Sequence, residues 1–122
     1  MNEPPGNGLS PYHLQRVCAL ITERMGGPLH VEDLAEAICM SPFHFARMFK
    51  KSTGEAPHEF LTRVRMEEAK RLLAETSEPL AAIAARVGYR TQAHFTGVFN
   101  ERTGATPRAF RVRALCGGRA LV

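Results

Sequence analysis

The segment HFARMFKKSTGEAPHEF, residues 44–60, returns 50 positions later as HFTGVFNERTGATPRAF, residues 94–110. Seven of the 17 aligned positions are identical: His44/His94, Phe45/Phe95, Phe49/Phe99, Thr53/Thr103, Gly54/Gly104, Pro57/Pro107 and Phe60/Phe110. Unrelated segments would share about one. What repeats is framework: aromatics, a glycine and a proline. What changes is polar or small: Ala46-Arg47 against Thr96-Gly97, and Lys50-Lys51 against Asn100-Glu101. In 122 residues, a kept scaffold with an altered surface reads as two copies of one device aimed at two targets.

The repeat is helical. Alternating runs of Val, Ile and Thr are missing, and apolar residues recur at three- and four-residue intervals. Residues 1–9 read as a flexible tail. Ser10-Pro11 then supplies an N-cap and a proline at the first helical position. Leu14, Val17, Cys18, Ile21 and Met25 form the inward stripe of a first helix, stopped by Gly26-Gly27-Pro28. A short helix over 31–38 turns Leu34, Ala35 and Ile38 inward. Ser41-Pro42 opens a third helix, ended by Gly54. Pro57 opens a long one over 57–76, roughly 30 Å of rod. The pattern restarts with a short helix over 80–87, a sixth from near Thr91 to Gly104, and a last from Pro107 to about Leu115, with 116–122 as a tail.

The expected fold is therefore all-α: seven helices, with two helix-turn-helix subdomains over 10–56 and 79–115 joined by the long linker helix. Ala35 and Ala84, at the centre of each unit's first helix, permit a close crossing. The second turn carries one extra residue and Gly88, which adopts positive φ freely. Its counterpart is Cys39, which would lose about 1 kcal/mol in that conformation. The first turn is therefore either different or strained.

Removing the buried faces leaves two stripes. On the third helix they are Pro42, Phe43, Ala46, Arg47 and Lys50, flanked by His44 and Lys51. On the sixth they are Gln92, Ala93, Thr96, Gly97 and Asn100, preceded by Arg90 and Thr91. The first stripe is cationic and the second almost uncharged. Arginine suits guanine and glutamine suits adenine through paired hydrogen bonds, while lysines suit phosphates. A net charge of +4 and a pI near 9.3 agree with a polyanionic partner. Two such helices separated by a rod of about 30 Å match the roughly 34 Å turn of B-DNA. A monomer could thus read two half-sites.

The chain from about residue 10 to 115 resembles the DNA-binding domain of the AraC/XylS family of bacterial transcription regulators. The resemblance rests above all on IAARVGYRTQAHFTGVFNERTGATPRAFR, residues 83–111, and on RVRMEEAKRLL, residues 63–73. It implies promoter binding with recruitment of RNA polymerase, most simply as an activator, in the bacterial cytoplasm and nucleoid. It maps the family's recognition positions onto Phe43, Ala46 and Arg47, and onto Gln92, Ala93, Thr96 and Gly97. Relatives often carry longer polar side chains where this chain has Ala46 and Gly97, and a Ser or Thr cap where it has His30. With about nine residues ahead of the first helix, the chain resembles the small single-domain members.

Enzymatic readings find little support. The five histidines form no HExxH, no P-loop or GxGxxG occurs, and Cys18, Cys39 and Cys116 include no CxxC pair. No catalytic residue, metal site or cofactor is expected. There is no membrane-length apolar run and no signal-peptide pattern at MNEPPGNG. The rival reading is a helical protein-interaction adaptor whose basic face meets an acidic partner.

Overall fold

A computed structural model of the chain describes the backbone of residues 8–120 and the side chains of residues 8–116. The described residues form seven helices and no strand: α1 (Pro11–Arg24), α2 (Val31–Ala37), α3 (Pro42–Thr53), α4 (Pro57–Glu75), α5 (Leu80–Arg86), α6 (Gln92–Thr103) and α7 (Pro107–Ala120). The chain divides into two compact units within α4, between Arg63 and Val64.

In the first unit α2 packs on α3 and on α1. Its buried side chains are Leu9, Val17, Ile21, Leu29, Leu34, Ala35, Ile38, Phe45, Phe49, Pro57, Leu61 and Thr62. The starts of α1, α2 and α3 have visible causes. The hydroxyls of Ser10 and Ser41 accept from the backbone N–H of His13 (3.1 Å) and His44 (3.2 Å), satisfying donors that no helical carbonyl reaches. At α2, where His30 replaces the expected hydroxyl cap, Asp33 takes over. Its carboxylate accepts from the His30 backbone N–H at 2.8 Å.

The second unit is built around Met66, Ala69, Leu72, Leu73, Ile83, Ala84, Val87, Phe95 and Phe99, with Leu80, Tyr89, Val98 and Phe110 against them. Here α5 packs on α6 and α6 on α7. The half-buried Arg111 closes the C-terminal end of α4. Its Nε donates to the Leu73 carbonyl (3.0 Å) and its terminal nitrogens to those of Glu78 (2.8 Å) and Thr76 (3.0 Å). A cation there satisfies orphan carbonyls and complements the helix dipole. The aligned residue in the first unit is Leu61, which is simply core.

The repeat is structural in detail. Phe45 and Phe49 lie 5.5 Å apart, Phe95 and Phe99 5.8 Å. Phe49 meets Phe60 edge-on at 5.2 Å, and Phe99 meets Phe110 at 5.5 Å. The repeated Thr-Gly ends α3 and α6 in the same way. Gly54 (φ 87°) and Gly104 (φ 83°) are left-handed caps. The Thr53 hydroxyl bridges the carbonyls of Phe49 and Glu55, and the Thr103 hydroxyl those of Phe99 and Ala105. So the shared residues are those that shape the α3–α4 and α6–α7 corners.

Three expectations need correction. Leu9 is not loose: it is 8% exposed, and its N–H donates to the Ser52 hydroxyl at 2.7 Å. Residues 1–7 of the expected N-terminal tail lie outside the described residues, as do 121 and 122. The last helix does not stop near Leu115 but continues to Ala120, because Gly117-Gly118 weakens a helix without forbidding it. Leu14, Cys18 and Met25 are only half-buried, leaving Val17 and Ile21, so the α1 stripe is narrower than its periodicity implies.

Candidate nucleic-acid interface

Each unit presents its second helix in the same manner. Residues 41–50 and 91–100 show the same order of exposure, position by position: only Phe45 and Phe49, and Phe95 and Phe99, are buried. On α3 the expected stripe is open: Pro42, Phe43, His44, Arg47, Lys50 and Lys51 are exposed and Ala46 is half-buried. On α6, Gln92, Ala93, Gly97 and Asn100 are exposed and Thr96 half-buried, with Arg90 and Thr91 exposed ahead of them. Every candidate residue on each helix therefore lies on one uncovered face.

The turns that aim these helices are related but unequal. After α2, Met40 N–H donates to the Ala35 carbonyl. After α5, Tyr89 N–H donates to the Ala84 carbonyl, both at 2.9 Å. This six-to-one bond requires a left-handed residue between helix and turn. In the second unit that residue is Gly88 at φ 96°, and in the first it is Cys39 at φ 57°. The strained alternative is the one adopted. Met40 alone then separates Cys39 from the cap Ser41, whereas Tyr89 and Arg90 separate Gly88 from the cap Thr91. The Thr91 hydroxyl accepts from the His94 N–H at 3.0 Å, so Thr91 also starts α6.

Arg90 is thus the inserted residue, and Tyr89 braces the longer turn. The Tyr89 ring meets His94 edge-on at 5.1 Å and lies 5.9 Å from Phe95, with the Arg65 guanidinium 5.7 Å from its centroid. Burial pushes the Tyr89 phenol above, and the Arg65 guanidinium below, their ordinary values. Sequence reading missed both residues. The aromatic directly after Gly88 was the available signal for Tyr89, while Arg65 was marked only as one letter of the stretch 63–73.

Charge separates the two faces. Helix α3 holds three basic residues and no acidic one, +3, whereas α6 holds Glu101 and Arg102, which cancel. The α3 charges sit beside an open hollow of about 530 Å³ lined by Ala46, Arg47, Lys50, Lys51 and Ala56. Ala56, from the α3–α4 corner, was not foreseen as part of this surface. A Cβ placed on Gly97 would meet nothing within 4 Å, so the α6 face is open there. Among the described residues there is no group of three His, Cys, Asp or Glu side chains able to hold a metal.

This arrangement has relatives. Residues 34–113 match the family described as Helix-turn-helix domain. The HTH-type transcriptional regulator Rv1931c of Mycobacterium tuberculosis is 41% identical over 88 residues, 72% of this chain and 34% of that protein. A transcriptional regulator from Chromobacterium violaceum with an AraC-type DNA-binding domain superposes with a TM-score of 0.76 at 25% identity, covering 84% of this chain and 92% of that one. The DNA-binding domain of AdpA, a global transcriptional factor solved in complex with a target DNA, gives a TM-score of 0.80 at 33% identity, covering 88% and 96%. The chain spans 34%, 28% and 41% of the length of the first three curated relatives it matches. With two helix-turn-helix units in that order and a family match over well over half its length, the chain belongs to the AraC/XylS family of transcription regulators, whose DNA-binding domain it carries.

Proposed function

We propose that the chain binds promoter DNA sequence-specifically, as a monomer, placing α3 and α6 in successive major-groove segments, and acts as an activator that contacts RNA polymerase in the bacterial cytoplasm. It works as a binding protein, without catalytic residues, metal or cofactor. The observation that carries this reading is the duplicated exposure pattern: each unit buries its Phe pair and leaves one face of its second helix open. The open face is kept while the residues on it differ, as two readers of different sequences would require. Helix α4, with 19 residues, is about 28 Å long, close to the 34 Å or so between equivalent major-groove faces. AdpA, solved on its target DNA, is the relative whose fold supports this partner.

In this reading Arg47 and Gln92 reach base edges, and Lys50 and Lys51 reach phosphates. His44 and Arg90 lie at the margins, where backbone contact is expected. The test is binding of the chain to specific and random duplexes over a range of salt, measured by fluorescence anisotropy. A DNA reader loses affinity steeply with salt yet retains a preferred site. Equal affinity for every duplex would instead favour the adaptor. Transcription in vitro with purified polymerase tests the activator role, and an unchanged transcript yield with the site occupied would refute it.

A further inference from the structure

The chain has seven phenylalanines. Six are framework and form three aligned pairs, Phe45/Phe95, Phe49/Phe99 and Phe60/Phe110, all buried or half-buried. Phe43 stands outside this set. It is 74% exposed, and its aligned residue in the second unit is Ala93. The second unit builds the same helix without a ring there, so the fold does not require one. The ring is the second residue of α3, at the end of a recognition helix that reaches base edges. One turn on, the Arg47 guanidinium lies over it, 6.0 Å from the centroid.

We infer that α3 reads the C5-methyl group of a pyrimidine beside a guanine, Phe43 packing on the methyl and Arg47 forking onto the guanine. This rests on the DNA reading proposed above. A phenyl ring neither donates nor accepts a conventional hydrogen bond, so of the groups displayed in the major groove it selects the apolar one, the methyl. Thymine and 5-methylcytosine both carry it. Ala46, beside the ring, offers no donor or acceptor either. With Arg47, Lys50, Lys51 and Ala56 it lines the hollow beside α3. With the guanidinium 6.0 Å from the ring centroid, the two side chains reach neighbouring base pairs, so the methyl and the guanine are read as one step. Helix α6 has Ala93 and Gly97 at the two matching positions, so this mode of reading belongs to one box only.

The test uses the intact chain and its preferred duplex. Each thymine is replaced in turn by deoxyuridine, which removes the methyl and leaves every hydrogen-bonding group. One position in the box facing α3, next to a guanine, should bind about fourfold more weakly, the factor that one buried methyl carries. The same replacement should have no effect in Phe43→Ala, closing a double-mutant cycle. At that position cytosine should bind more weakly than 5-methylcytosine, which separates the methyl from the rest of the thymine edge. A preferred duplex indifferent to every deoxyuridine, or a Phe43→Ala protein that keeps the sensitivity, overturns this inference alone. Absence of any preferred duplex overturns the DNA reading and the inference with it.

Discussion

Replacing Cys39 with glycine should stabilise the first unit. Cys39 sits at φ 57°, where an L-residue is disfavoured by about 1–2 kcal/mol. The turn cannot avoid this, because the Met40 N–H reaches back to the Ala35 carbonyl at 2.9 Å. The thiol is exposed, so its removal sacrifices no packing. Against the relief stands the extra freedom of glycine in the unfolded chain, about 0.5–1 kcal/mol. Mid-range values of about 1.5 and 0.75 kcal/mol leave a net gain of about 0.75 kcal/mol. At a urea m-value near 1 kcal/mol/M, suitable for a unit of this size, the midpoint rises by about 0.75 M. The chain has no Trp, so far-UV circular dichroism is the natural probe. The reverse experiment is Gly88→Ala, which should lower the stability of the second unit by about 1 kcal/mol. A Cys39→Gly midpoint at or below the parent value, with m unchanged, would refute the claim that this turn is strained.

Other consequences are as direct. Arg111→Ala strips three carbonyls of a partly buried cationic donor and should destabilise the second unit by about 2–3 kcal/mol in urea melts, with Arg111→Lys recovering part of it. A loss below about 0.5 kcal/mol would mean that water replaces the guanidinium without penalty. Arg47→Ala should weaken specific DNA binding by about 1–3 kcal/mol and relax preference at a single base position. A uniform loss across sequences would reassign it to a phosphate. Because α3 carries +3 and α6 no net charge, Lys50→Ala/Lys51→Ala should flatten the slope of log affinity against log salt by about 2, and Asn100→Ala should leave it unchanged. Equal slopes would contradict this asymmetry.

The sequence disclosed the helices well where their boundaries are chemical and local. Ser10-Pro11, Ser41-Pro42 and the two Thr-Gly pairs act within four residues of the backbone groups they satisfy. The open faces of α3 and α6 were legible for the same reason, since helical period and paired phenylalanines fix which side is buried. Contacts distant in sequence were not legible. Arg111 was only one letter of a resemblance, because the carbonyls it caps lie 33–38 residues earlier. Leu9 reads as tail because the Ser52 hydroxyl that holds its N–H lies 43 residues away. The conflict at Cys39 was visible, but only the structure chose between a different turn and a strained one.

Selection of bound duplexes from a random pool by the intact chain tests the central claim most directly. Two short, dissimilar boxes with centres about ten base pairs apart are expected, each altered by substitutions in only one of α3 and α6. A single box, boxes whose spacing varies freely, or no enrichment over the starting pool would contradict the account of two readers on one duplex.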